Sequence, residues 1–201
     1  MSHWTWHSWN GTPYLTCNLL EPWQHGFFTR QSWPSQPDSL VYAIGQDTSV
    51  CRVKQVHGNT VLAGSEMQQY FNPMNTEESP YPKADGLYSD AYGQALWVCS
   101  ADCTPVLIGD RTTGHAAAVH AGWRGTAARI VPRAVERLLA QGSQLSNLIV
   151  AMGPAISGAV YQVDNDVAKQ MAQSLIPKVS ESAVQESAMQ NDIAETNVQS
   201  L

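Results

Sequence analysis

Alternation of apolar and polar side chains organises the first third of the chain. Residues 5–9 and 14–18 form short extended runs on either side of Asn10-Gly11. That dipeptide accepts positive φ at both positions of a tight turn, so the pattern predicts an opening β-hairpin. Residues 26–30 read as a further strand, and 31–38 as loop because of their prolines and polar side chains. A strand is expected at 50–56, broken by Gly58-Asn59, with an extended run resuming at 60–63. Residues 68–83, carrying Pro73, Pro80 and Pro82, read as loop.

Three apolar runs follow, at 96–100, 105–108 and 116–120, and the make-up of 109–114 predicts a hairpin loop between the last two. After Gly122 the period becomes helical: Ile130, Val131, Ala134, Val135, Leu138 and Leu139 fall on one face. Thr126 is the candidate cap. Pro132 should kink this helix or make its first turn irregular, since proline removes a backbone hydrogen bond and clashes with the carbonyl four residues back. Strands are expected at 148–152 and 159–163, and Asp164 should cap a helix running to about Leu175. Residues 180–201 hold four acidic side chains and no basic one, too polar to bury much surface. The organisation expected is one α/β domain over residues 1–179 with a polar tail over 180–201.

Composition narrows the function. The chain has 201 residues, and 11 Lys+Arg against 17 Asp+Glu give a net charge of -6. No basic cluster is present, which argues against nucleic-acid binding, and no apolar run is long enough to span a membrane. The N-terminus lacks the charged and apolar regions of a signal peptide, so a cytoplasmic location is expected. In that reducing compartment the four cysteines are packed thiols, metal ligands or nucleophiles rather than disulfides. Cys17, Cys51 and Cys99 are expected to be packed thiols.

Three strings place reactive side chains where apolar strands stop: Lys54-Gln55-Val56-His57-Gly58, Ser100-Ala101-Asp102-Cys103-Thr104-Pro105 and His120-Ala121-Gly122-Trp123-Arg124-Gly125. His57, Cys103 and His120 together would form a Cys/His/His zinc set with a fourth position open. Their spacing matches no compact zinc finger, so the convergence of three strand ends carries this reading. Asp102 could orient a ligand or accept a proton, while Asp85 reads as a turn residue.

The strings KQVHG, ADGLYSD, CSADCTPVLIGD, HAAAVHAGWRG and MGPAISGAVYQV resemble, in order, those of the YfiH-like family. Its members were once called laccase-domain polyphenol oxidases and are now described as purine nucleoside phosphorylases. The resemblance runs from about Gln24 to Val163. It implies a single mixed-sheet α/β domain flanked by helices, similar to the deamidating-toxin and YfiH-like cysteine hydrolase fold. It also implies His57, Cys103 and His120 as zinc ligands, with copper as an adventitious substitute. The implied substrates are phosphate and a purine nucleoside (adenosine, inosine, guanosine or methylthioadenosine), with adenosine deamination as a second activity. Arg30 and Arg124 are the candidates to hold phosphate, Arg30 with Asp102 in the catalytic set and Arg124 as a substrate contact. The chain departs from the family pattern at Gln31-Ser32, where a Gly-Gly pair is usual, and in its polar tail.

Three rivals remain open at this point. Copper phenol oxidation needs several His-x-His pairs, and the six histidines form none. A Cys103–His120 pair could act as an amidase or deamidase through a free thiolate. A non-catalytic metal-binding relative is the third.

Overall fold

Asn10 and Gly11 both take positive φ, 48° and 80°, and their turn joins β1 (Trp4–Trp9) to β2 (Thr12–Cys17). The pair is antiparallel with Trp9 opposite Thr12, as the dipeptide predicts. The structure is a computed structural model and describes residues 3–45, 48–70 and 79–175. A two-residue strand, β3 (Phe27–Phe28), completes a three-stranded sheet. The strand predicted at 26–30 stops early because the Thr29 hydroxyl accepts from the Gln31 N–H at 3.2 Å, starting a 3-10 turn over Arg30–Ser32. α1 (Pro37–Leu40) then begins on a proline, inside the segment expected to be loop.

The elements β4 (Ser49–Arg52), β5 (Val61–Ala63), α2 (Gly64–Tyr70), β6 (Gly86–Tyr88), β7 (Gln94–Trp97), β8 (Thr104–Asp110) and β9 (Ala116–Ala121) follow. After them come α3 (Trp123–Ala127), α4 (Ile130–Ala140), β10 (Leu148–Met152) and α5 (Asn165–Leu175). The strands divide among three sheets, which corrects the expectation of a single one. The largest is mixed, in the order β10-β8-β9-β6-β5, and β4 and β7 form a separate parallel pair. Stacking of Tyr14 on Phe28 and of Phe28 on Trp97, with centroids 5.3 and 5.4 Å apart, ties the β1–β3 meander to β7.

The helical period after Gly122 resolves into two helices, because Arg129 takes a left-handed φ of 64° between them. Thr126 is not a cap. It lies inside α3, where its N–H donates to the Gly122 carbonyl at 2.8 Å. Pro132 sits in the first turn of α4, whose N–H groups have no helical partner to lose. Ile130, Ala134 and Leu138 form the fully buried face of α4, packed on Val61, Val106, Ile108 and Val119 of the large sheet.

The strand expected at 159–163 is absent. The Val160 N–H donates to the Ser157 carbonyl at 3.0 Å to form a turn, and Val160, Tyr161 and Val163 are exposed, with no partner strand among the described residues. Asp164 caps α5 as predicted, its carboxylate accepting from the Val167 N–H at 2.9 Å. The expected tail at 180–201 and part of the expected loop at 68–83 lie outside the described residues; residues 68–70 belong to α2. Among the described residues no helix is long and apolar enough to cross a membrane.

α2 is held by ionised side chains. Glu66 accepts from the Ala63 N–H at 2.7 Å and pairs with Arg137 of α4 at 2.5 Å. Asp90 accepts from the Ser65 hydroxyl and from Gln94 Nε2. Burial pushes both carboxyls up, but these hydrogen bonds, with the Arg137 guanidinium beside Glu66, outweigh it and hold both below their ordinary values. A carboxyl depressed by folding stabilises fully above its unfolded pKa and loses that contribution as pH falls through the folded value. Glu66→Gln should therefore lower the urea midpoint at pH 7. Its deficit against wild type should shrink as pH falls from about 4.3 through the folded value, as a pH series of urea titrations would read.

Candidate metal centre

The register of the large sheet brings chain-distant strand ends together. β8 pairs with β9 so that Thr104 faces Ala121 and Pro105 faces His120. Cys103, one residue before β8, therefore stands at the sheet end that holds His120. β6 pairs with β9 with Gly86 opposite Val119, which seats Asp85 beside His120. β5 runs parallel to β6, and the Thr60 carbonyl accepts from the Asp85 and Gly86 N–H groups at 3.0 and 3.1 Å. The loop entering β5 thereby delivers His57 to the same place.

The ligand atoms of His57, Cys103 and His120 all lie within 4.8 Å of one another. The two imidazole centroids are 4.9 Å apart with their planes at 76°. His57 is exposed, Cys103 half-buried and His120 buried. Two imidazoles and one sulfur suit a borderline-soft divalent ion bound at about 2.0–2.3 Å, and three protein donors leave a further position open. The group can hold a metal ion. Gly122, which starts α3, makes this convergence possible: a Cβ there would lie 2.9 Å from Cys103 Sγ and 3.2 Å from His57 Cδ2. At Gly125 a Cβ would lie 2.8 Å from the Gly58 carbonyl oxygen.

Burial, then the carboxylates of Asp102 and Asp85, push the Cys103 thiol above its ordinary value. A bare Cys103 is thus held as the neutral thiol, and a cation at the donor tips would reverse that preference.

Asp85 is the residue that sequence reasoning misread. It is not a free turn residue: it is fully buried, and its Oδ1 accepts from His120 Nδ1 at 2.9 Å. The carboxylate on the His120 ring is therefore Asp85, whereas Asp102 is exposed and engages Ile156 through its backbone carbonyl. A signal for Asp85 was present. It is the one charge in the otherwise small and apolar run Ala84–Tyr88, residues that are all buried.

The two arginines are placed differently. Arg124 is exposed in the first turn of α3, with its guanidinium carbon 4.3 Å from the centroid of the Trp123 ring. Arg30 is exposed on the 3-10 turn after β3, and among the described residues no hydrogen bond or ion pair joins it to the Cys/His/His group. Cys17 and Cys51 are packed thiols as expected, and burial, then Asp90, raises the Cys51 thiol to about 11. Cys99 is instead exposed. It lies beyond the end of β7, where the Gln55 amide accepts from its N–H at 2.6 Å and donates to its carbonyl at 2.7 Å.

Residues 36–201 match the sequence profile of a family described as multi-copper polyphenol oxidoreductase laccase. The chain is 52% identical over 172 residues to a protein of Synechocystis sp. named purine nucleoside phosphorylase, covering 86% of this chain and 64% of that protein. It is 33% identical over 114 residues to a protein from an unknown prokaryotic organism named adenosine deaminase, covering 57% of this chain and 43% of that protein. The chain thus spans less than two thirds of the length of either relative. The fold is similar to that of the Bacillus licheniformis hypothetical protein YfiH, with a TM-score of 0.65 at 21% identity, covering 86% of this chain and 73% of that one.

Gly122→Ala tests whether the three donors work as one site. The added methyl should separate Cys103 from His57 and weaken zinc binding by roughly tenfold or more, a change of about 1.4 kcal/mol. Circular dichroism should stay unchanged while chelator competition reads the loss.

Proposed function

We propose, on the premise that this chain belongs to the multi-copper polyphenol oxidoreductase laccase family, that it is a zinc-dependent purine nucleoside phosphorylase with adenosine deamination as a second activity. The observation that carries this reading is the convergence of His57, Cys103 and His120 within 4.8 Å at one sheet end. Zinc held there would supply Lewis-acid polarisation and acidify a bound water. In phosphorolysis a phosphate oxygen bonds to the ribose carbon as the bond to the purine nitrogen breaks, and the base leaves with a proton. In deamination water replaces the amino group of adenosine and ammonia leaves.

The chain's own residues take the remaining roles. Arg124 is a candidate phosphate ligand, since a guanidinium matches phosphate oxygens bidentately and its stacking on Trp123 limits its freedom beside the site. Arg30, exposed on the turn after β3, is the second candidate cation. The exposed carboxylate of Asp102, next to Cys103, is the candidate to accept a proton. Both the Synechocystis relative's name and that of the deaminase relative support a nucleoside substrate.

The raised Cys103 thiol speaks against an amidase that depends on a free thiolate. Six histidines without a His-x-His pair speak against the oxidase chemistry that the family's description suggests.

Metal-analysed protein incubated with adenosine should yield adenine only when phosphate is present, and inosine without it, as read by chromatography. Removing the metal should abolish both products. Arg124→Ala should raise the KM for phosphate by roughly 10- to 100-fold, the scale of one lost charge-assisted contact, and leave phosphate-free deamination near wild type. Products that survive chelation and disappear on thiol alkylation would favour the cysteine hydrolase instead.

A further inference from the structure

We propose, resting on the metal reading above, that Asp85 is the positioning residue of this centre, one carboxylate that sets the ring of His120 and the backbone of His57 together. Its Oδ1 accepts from His120 Nδ1 and from the His57 N–H, both at 2.9 Å. Its Oδ2 accepts from the Val56 N–H at 3.1 Å and the Gly58 N–H at 2.7 Å. These four donors meet a side chain with 0% exposure, where an unmet carboxylate would be strongly disfavoured.

Each imidazole is constrained in a different way. Both Asp85 oxygens already accept backbone N–H groups, so in this pair Nδ1 of His120 is the donor and Nε2 keeps its lone pair for a metal. The His120 N–H also donates to the Asp85 carbonyl at 2.7 Å, so ring and backbone answer to the same residue. His57 takes a left-handed φ of 60°, a region that a residue with a Cβ avoids. Its own N–H and those of both chain neighbours converge on the Asp85 carboxylate and hold that turn in place. Cys103 has a separate anchor, because the Ser100 hydroxyl donates to its carbonyl. The two nitrogen donors therefore share one support, and the sulfur donor does not.

Asp85→Asn keeps the volume and one acceptor oxygen while turning the other position into a donor. In folded protein this variant should bind zinc roughly 10- to 100-fold more weakly by chelator competition, the usual consequence of losing a ligand-orienting partner. With cobalt(II) the thiolate charge-transfer band of Cys103 should persist while the ligand-field bands shift. In the wild-type chain carrying isotope-labelled histidine and cadmium, scalar coupling should appear at His120 Nε2. Coupling at Nδ1 would overturn the inference, whether or not the variant folds. Equal zinc affinity and an unchanged cobalt spectrum in folded Asp85→Asn would also overturn it, leaving the metal site itself intact. A wild-type chain that takes up no metal would overturn the metal reading and this inference with it.

Discussion

A carboxylate sealed from water must be surrounded by donors, and few places in a small domain can supply four. Asp85 obtains them from two sources that the chain keeps 27 to 35 residues away: the N–H groups of Val56, His57 and Gly58, and the ring of His120. The requirement acts on the whole sheet end. The loop before β5 cannot lift without leaving a buried charge unmet, and the end of β9 cannot slide past β6 for the same reason. Pairing of β6 with both β5 and β9 then becomes the frame on which the site is drawn.

The rest of the local architecture follows from the lack of space around that frame. β9 stops at Ala121 and α3 begins at once, with Gly122 passing so near Cys103 and His57 that a Cβ there would push on both side chains. A short helix is all that can follow before the chain must turn to cover the sheet. The left-handed Arg129 makes the change of direction, and α4 starts afresh with Ile130 already in the core. One helix thus presents Trp123 and Arg124 near the site and the other supplies the apolar face of the domain. Neither task suits the other: α3 has only Gly125 buried, whereas α4 buries a full stripe.

What could be read from the sequence was whatever depends on neighbours in the chain. Asn10-Gly11 sets its own turn, Asp164 caps its own helix, and the polar breaks beside apolar runs point to His57, Cys103 and His120. Two features depended on distant partners and were misread. Asp85 looks like a turn residue because its donors come from other strands. Residues 159–163 carry the side chains of a strand but meet no partner strand among the described residues, and the Ser157 carbonyl holds Val160 in a turn instead. Pro132 marks the boundary between these cases. Its effect on a helix was predictable, but where the helix starts was set by Arg129, whose left-handed φ no local pattern announces. The division into three sheets was likewise invisible, since strand runs do not reveal which partners they choose.

The surroundings of Cys103 also bear on two chemistries that the sequence left open. Asp85 and Asp102 both add to burial in disfavouring a negative sulfur at Cys103. An enzyme that uses cysteine as a free nucleophile arranges the opposite, with positive charge or a helix N-terminus drawing the thiol down. Two carboxylates near a sulfur and two imidazoles are costly for an anion and favourable for a divalent cation, which lowers the energy of thiolate and acids together. Electrostatics and donor geometry therefore point the same way. A sheet end that hides one carboxylate and leaves another in water suits a bound positive charge, and with a cation there Cys103 would serve as a ligand rather than a nucleophile.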